Sequence, residues 1–234
     1  MSFILSGDDE IRKVSNNFNQ MDLLVFEPGA QIVGLDVDTR KNRIIWASGK
    51  FFFSLSLYKK LNTSFSLYDF KFSGSSGKIS ALDVTTSQET SLQSMDRPSK
   101  VTYDWLTGNI FYIDNSKPNK IKVCNLEKKK QSTVLTASPD TLITNLVIEP
   151  VSGLLFYSHV RSSVLQRPVS EILSYSFEEQ NSTLLVSTDL TWVSGLVVDR
   201  IRGYLYWSDL YYQVIEKTRF DGSQRQIVFQ SQVS

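Results

Sequence analysis

GLVVDRIRGYLYWSD, residues 195–209, decides how the chain is read. Gly195 to Asp199 is rich in β-branched residues, Arg200 to Gly203 holds a glycine where a turn belongs, and Tyr204 to Asp209 is rich in aromatics. That order predicts a β-hairpin. The layout recurs three more times. An acid stands at Asp38, Asp104, Glu149 and Asp199. Four positions later come Asn42, Gly108, Gly153 and Gly203, residues that tolerate a left-handed backbone. Eight positions after the acid come Trp46, Tyr112, Tyr157 and Trp207. Three markers holding their spacing through four copies define an internal repeat.

Each copy continues into two more strands. The third strands share an Ile followed five residues later by an apolar side chain: Ile79/Val84, Ile121/Leu126, Ile172/Phe177 and Ile215/Phe220. Full repeats are expected over 32–95, 100–136, 144–187 and 194–230, after a partial unit at 3–27 that keeps Ile11, so the repeated domain runs over 1–230. The inner strands carry apolar residues at adjacent positions (Leu196, Val197, Val198), so both faces of each sheet need cover. Stacking four-stranded sheets radially provides it, and the predicted fold is an all-β, six-bladed-type β-propeller. No segment shows helical periodicity. Three strands in the opening fragment and four in each repeat give 19, whereas six blades of four need about 24. The ring is therefore expected to be incomplete, with about five blades present. An uncovered blade face forfeits roughly 10 kcal/mol at about 25 cal/mol per Å², comparable to a whole domain's stability of about 5–15 kcal/mol. The chain thus reads as an excerpt of a longer protein.

Composition narrows the function. The 234 residues carry a formal net charge of +1, which implies no nucleic-acid or anionic-membrane partner. Lys117, Lys120, Lys122 and Lys128 to Lys130 form a local basic cluster that reads as a solvated hairpin tip. One cysteine, Cys124, rules out an internal disulfide and a cysteine-based zinc site, and it reads as a small buried side chain. No run of apolar residues is long enough for a membrane span, and SFILSGDDE after Met1 is too short in apolar residues for a signal peptide. Catalysis finds little support: the sole histidine is His159, and no phosphate-cradling or EF-hand loop occurs. No cofactor or metal is expected. Asp38, Asp104, Glu149 and Asp199 read as turn residues rather than as ligands of a metal shared between blades.

YLYWSD at 204–209, with GLVVD before it and RFDGSQRQIV after it, resembles the class B repeat of the low-density-lipoprotein receptor family, named for a Tyr-Trp-Thr-Asp motif. FYID (111–114) is a fair copy, ending in Asp114 as the fourth repeat ends in Asp209. IWAS (45–48) and FYSH (156–159) are degenerate, with Ser48 and His159 where the motif has Asp. The resemblance implies a six-bladed propeller flanked by EGF-like modules in a single-pass endocytic receptor, on the extracellular side of the plasma membrane and in endosomes. Such receptors take up lipoprotein or yolk-protein (vitellogenin) cargo. The leading expectation is a non-enzymatic receptor segment with a protein or lipoprotein ligand. The alternatives are a propeller of a signalling co-receptor or matrix protein, and a lactonase-type propeller hydrolase.

One stretch breaks the pattern. From Trp207 to Ile215 the spacing is 8 and from Tyr112 to Ile121 it is 9, yet from Trp46 to Ile79 it is 33. Removing the 24-residue run 50–73, rich in Phe, Ser, Leu and Lys, restores 9. The run reads either as a long binding loop or, preferably, as translated intron sequence: Gly-Lys-Phe and Phe-Ser-Gly at its borders can be encoded by splice-donor-like and acceptor-like codons. Asn62 (NTS) and Asn181 (NST) fit the N-glycan acceptor pattern. His159 is a candidate pH sensor, or a residue that merely replaces the motif's Asp. Antiparallel connections alternate sides, so loops before first strands and loops between second and third strands share one rim. Arg97, 115–119, 161–167, Trp192, Tyr211 and Tyr212 fall there. Exposed aromatics and Arg anchor interfaces. The competing reading packs Trp192 and the tyrosines between blades.

Overall fold

The computed structural model describes residues 2–6, 9–15, 21–26, 31–38, 43–57, 68–93, 97–161 and 169–231. Every element among them is a β-strand. An opening three-stranded sheet holds β1 (Ser2–Ser6), β2 (Glu10–Ser15) and β3 (Met21–Phe26). Four four-stranded sheets follow. The first is β4 (Gln31–Asp38), β5 (Arg43–Leu57), β6 (Tyr68–Asp83) and β7 (Gln88–Gln93). The second is β8 (Pro98–Asp104), β9 (Asn109–Asp114), β10 (Lys120–Asn125) and β11 (Lys130–Thr136). The third is β12 (Thr141–Glu149), β13 (Leu154–Arg161), β14 (Val169–Ser176) and β15 (Asn181–Val186). The fourth is β16 (Val193–Asp199), β17 (Tyr204–Asp209), β18 (Val214–Arg219) and β19 (Gln226–Gln230). Within each, neighbours in sequence are neighbours in the sheet, as short antiparallel connections require.

The first turn of the second, third and fourth repeats is built by the marker acid. Asp104 Oδ1 accepts the backbone N–H of Leu106 at 2.8 Å and of Thr107 at 3.2 Å, and its carbonyl accepts that of Gly108 at 2.8 Å. Asp199 repeats this with Arg202 N–H at 3.0 Å and Gly203 N–H at 2.8 Å. Glu149 reaches Ser152 N–H at 2.6 Å with its longer side chain. Gly108, Gly153 and Gly203 have φ of +76°, +63° and +70°, the left-handed region where a Cβ is strained. The side chain of Asp38 and residues 39–42 lie outside the described residues.

The aromatic markers hold one register throughout. Trp46 pairs with Leu35, Tyr112 with Val101, Tyr157 with Leu146 and Trp207 with Leu196, in each case the residue three positions before the marker acid. Each first strand also has a bulge just before that pair, between Ile32/Gly34, Pro98/Val101, Ile143/Asn145 and Val193/Gly195. Outer strands carry a second bulge beside the third-strand Ile, at Leu24, Leu185 and Val228. A bulge inserts one unpaired residue, which the spacing of markers does not reveal.

The chain falls into two compact units, Met1–Ser54 with Lys71–Ser116 and Lys122–Ser132, and Leu55–Phe70 with Lys117–Ile121 and Thr133–Ser234. In the first, Ile11 and Val25 pack on Ile44 and Trp46, and Ile45 and Ile79 pack on Val101, Ile110 and Tyr112. Cys124 is buried in the second of these clusters. In the second unit, Phe156, Ile172 and Val186 pack on Leu196, Leu205 and Trp207. One rule covers all three contacts. The face bearing the third-strand Ile of one sheet covers the face bearing the aromatic marker of the next. This is how a β-propeller buries its blades.

The fourth sheet departs from the expectation that both faces are buried. Its marker face is covered, but Val197 is 62 % exposed, Ile215 40 % and Phe229 57 %. Their counterparts in the third sheet, Ile172 and Val186, are buried, and Val147 is partly buried. Along β17 buried residues alternate with half-buried ones, and along β18 with half-buried or exposed ones, where β9 is buried at consecutive positions.

The run 50–73 extends β5 and β6 beyond the other second and third strands, while residues 58–67, Asn62 among them, lie outside the described residues.

Candidate functional site

The rim where first strands begin and second strands end is organised by the last residue of the motif. Asp209 is 2 % exposed and accepts four backbone N–H groups. Its Oδ2 takes Thr191 at 2.7 Å and Trp192 at 3.1 Å, and its Oδ1 takes Tyr211 at 2.9 Å and Tyr212 at 3.0 Å. Leu210 N–H donates to the Trp192 carbonyl at 3.0 Å. One buried carboxylate thus joins the linker into β16 to the loop out of β17. Charge-assisted bonds of this kind are the strong ones.

Asp114 does the same in the second sheet, accepting Arg97 N–H at 3.2 Å and Ser116 N–H at 2.9 Å, while Asn115 N–H meets the Arg97 carbonyl at 2.9 Å. Arg97 is half-buried at the place equivalent to Trp192.

The side chains carried by the fourth sheet's rim face solvent. Leu210 is 66 % exposed, Tyr211 62 % and Tyr212 44 %, and the two tyrosine rings stand edge to face with centroids 5.4 Å apart. The tyrosines are exposed, whereas Trp192 is half-buried. Beside Tyr212 an open groove of about 490 Å³ is lined by Asp189, Glu216, Arg225 and Ile227. Arg225 grips the buried Glu216 with two bonds of 3.0 and 2.7 Å, reaches the Thr188 carbonyl at 2.8 Å, and lies 5.5 Å over the Trp207 ring. The indole N–H of Trp207 has no hydrogen-bond partner among the described residues, whereas the tyrosines that replace it donate to the outer strand, Tyr112 to Gln131 at 3.2 Å and Tyr157 to Ser182 at 3.0 Å.

The two sheets that lack the motif's Asp differ. Ser48 is buried. His159 stands opposite Glu171 in the strand register and its Nε2 is 2.7 Å from Glu171 Oε2, while Arg161 donates to Glu171 Oε1. Burial alone would raise the Glu171 carboxyl; the bonds from His159 and Arg161 outweigh it and hold the group below its ordinary range. His159 does not tie the entry to β12. Asn119 does, its Oδ1 accepting Ile143 N–H at 2.7 Å.

Residues 162–168, on the same rim, lie outside the described residues. Asn181 is exposed at the start of β15. Among the described residues no three His, Cys, Asp or Glu side chains gather as a metal site would need, and no helix is long and apolar enough to cross a membrane.

The buried Asp, the marker register and the left-handed glycines recur where the motif has them. The vitellogenin receptor of Solenopsis invicta is 29 % identical to the chain over 229 residues. The chain is similar to a receptor of the low-density-lipoprotein receptor family, consistent with its class B repeats. The aligned stretch covers 97 % of this chain and 11 % of that receptor, so the chain spans about a ninth of its length. No family model matches the chain. Among solved structures, the nidogen/laminin complex contains a chain similar at a TM-score of 0.72 and 16 % identity, covering 97 % of this chain and 77 % of that one. An oligogalacturonate lyase in complex with manganese is similar at 0.65 and 10 % identity, over 100 % of this chain and 63 % of the other. Likeness at such identities establishes the propeller fold alone. The relative by sequence is a receptor.

Sequence reasoning named Asp209, Trp192, Tyr211 and Tyr212 separately and missed that the first holds the other three. The available signal was position: an Asp ending a strand, followed by exposed aromatics, is placed to cap the next two amides.

Proposed function

We propose that the chain is the propeller segment of an extracellular endocytic receptor. It takes up lipoprotein- or yolk-protein-type cargo through the rim of Trp192, Tyr211 and Tyr212, without catalysis. The observation that carries this is the exposed, edge-to-face tyrosine pair held at its backbone by a buried Asp. Rigid aromatic anchors on a fixed loop are what a protein interface uses for affinity. The receptor assignment draws on the similarity to the Solenopsis invicta receptor across nearly the whole chain.

The test uses the full-length protein and purified yolk lipoprotein on a sensor surface. Tyr211→Ala with Tyr212→Ala weakens binding by roughly 30-fold, the size of a hot-spot loss of about 2 kcal/mol, with the thermal transition unchanged. Unchanged affinity with an intact fold overturns the reading.

The ring is of the six-bladed type and continues beyond these repeats, within a receptor that also carries EGF-like modules and a membrane anchor. The uncovered face of Val197, Ile215 and Phe229 supports this, because the equivalent face of the third sheet is covered by the fourth. A structure of the longer protein in which these three stay in solvent would refute it. Run 50–73 is an insertion of intron origin, and a mature message that keeps its codons overturns that proposal.

A further inference from the structure

Asn181, Ser182 and Thr183 open β15, the outermost strand of the third sheet. Strand alternation splits the three residues between two sides. Asn181 and Thr183 are exposed, whereas Ser182 is half-buried and its Oγ accepts the Tyr157 hydroxyl at 3.0 Å. The Asn181 Oδ1 accepts the Ser182 N–H at 2.8 Å, and no hydrogen bond to its Nδ2 occurs among the described residues. The acceptor amide and the hydroxyl two residues on are thus both open to an enzyme, while the intervening residue anchors the strand.

We propose that Asn181 carries an N-linked glycan. The donor class is a polyprenyl-diphosphate-linked oligosaccharide. Nδ2 forms a bond to the sugar's anomeric carbon, the carbon–oxygen bond to the diphosphate breaks, and the lipid diphosphate leaves with that electron pair while the amide gives up one proton. The inference rests on the extracellular reading above, since the donor is met in the secretory lumen. The position also sorts the two rims. The turn before Asn181 meets the first turn of the same sheet through Phe177 N–H and the Gly153 carbonyl at 3.2 Å. In the next sheet, Gly222 of the corresponding turn lies against the Leu185 backbone. These turns occupy one end of the sheets, and Trp192, Tyr211 and Tyr212 occupy the other. A glycan at Asn181 leaves the tyrosines clear.

The experiment expresses the full-length protein in a eukaryotic secretory host and removes N-glycans enzymatically in heavy-oxygen water. The peptide containing residue 181 is expected to carry the resulting Asn-to-Asp mass signature. Asn181→Gln and Thr183→Ala each remove a single glycan step on a gel, Thr183→Ser keeps it, and cargo affinity is the same in all four proteins. A control protein carries Leu210→Asn with Tyr212→Thr, which creates an acceptor on the opposite rim. A modified control with a bare residue 181 overturns the glycan and leaves the compartment standing. A bare control and a bare residue 181 together overturn both.

Discussion

Replacing Asp209 by Ala removes an acceptor that four amides share. The carboxylate is 2 % exposed, and its partners Thr191, Trp192, Tyr211 and Tyr212 lie at 2.7, 3.1, 2.9 and 3.0 Å. A hydrogen bond to a charged group contributes about 1.5–3 kcal/mol. Tyr211 and Tyr212 stand on an open loop where water can take over, so their two bonds are largely replaced. Thr191 and Trp192 are half-buried, and their amides lose more. The expected cost is about 3–5 kcal/mol, which for a chain of this size lowers the thermal midpoint by roughly 6–15 °C. Asp209→Asn is the sharper test. Its one remaining oxygen can serve one pair of amides, and its NH₂ then faces the other pair donor to donor, so about half of the loss persists. Urea denaturation gives the magnitude and amide exchange gives the place: protection falls first at Thr191 and Trp192. A loss under about 1 kcal/mol for Ala, or unchanged exchange at these amides, would refute the account of the rim.

Three further outcomes follow from the same geometry. Ile172→Ala should cost about 2–5 kcal/mol as a buried truncation, whereas Ile215→Ala, at an equivalent but 40 % exposed site, should cost under about 1 kcal/mol in this chain by denaturant titration. Gly34→Ala should destabilise by about 1–3 kcal/mol in the same assay, because its Cβ would stand 2.7 Å from the Ser99 carbonyl oxygen. Glu171 is held below its ordinary value of 4.5, so the fold favours its charged form; that stability is present above about pH 4.5 and lost as pH falls through the lower folded value. Thermal melts of Glu171→Gln should therefore show a shallower acid limb below pH 4.5, and an unchanged acid limb would show that other groups drive it.

The repeat, the strand order and the turns were legible because their causes are local. An acid four residues before a glycine builds a turn with its own backbone, and an aromatic eight residues on must then fall opposite the same strand position. Two things were hidden. The bulges at Leu24, Leu185 and Val228 shift register by a residue that no marker counts. The grip of Arg225 on Glu216 and on the Thr188 carbonyl joins residues 9 and 37 apart, and in sequence it looks like a scattered surface charge. Adjacent apolar residues such as Leu196 and Val197 signalled two faces needing cover, but not which of them this stretch of chain can cover by itself.

The outermost strands hold a lesson about growth. A lone edge invites any passing extended segment to zip on. With one residue out of step at Leu185 and again at Val228, the outward-pointing amides and carbonyls no longer come in an even ladder. The third and fourth sheets therefore close at their fourth strands, and crowded copies meet along edges that do not match.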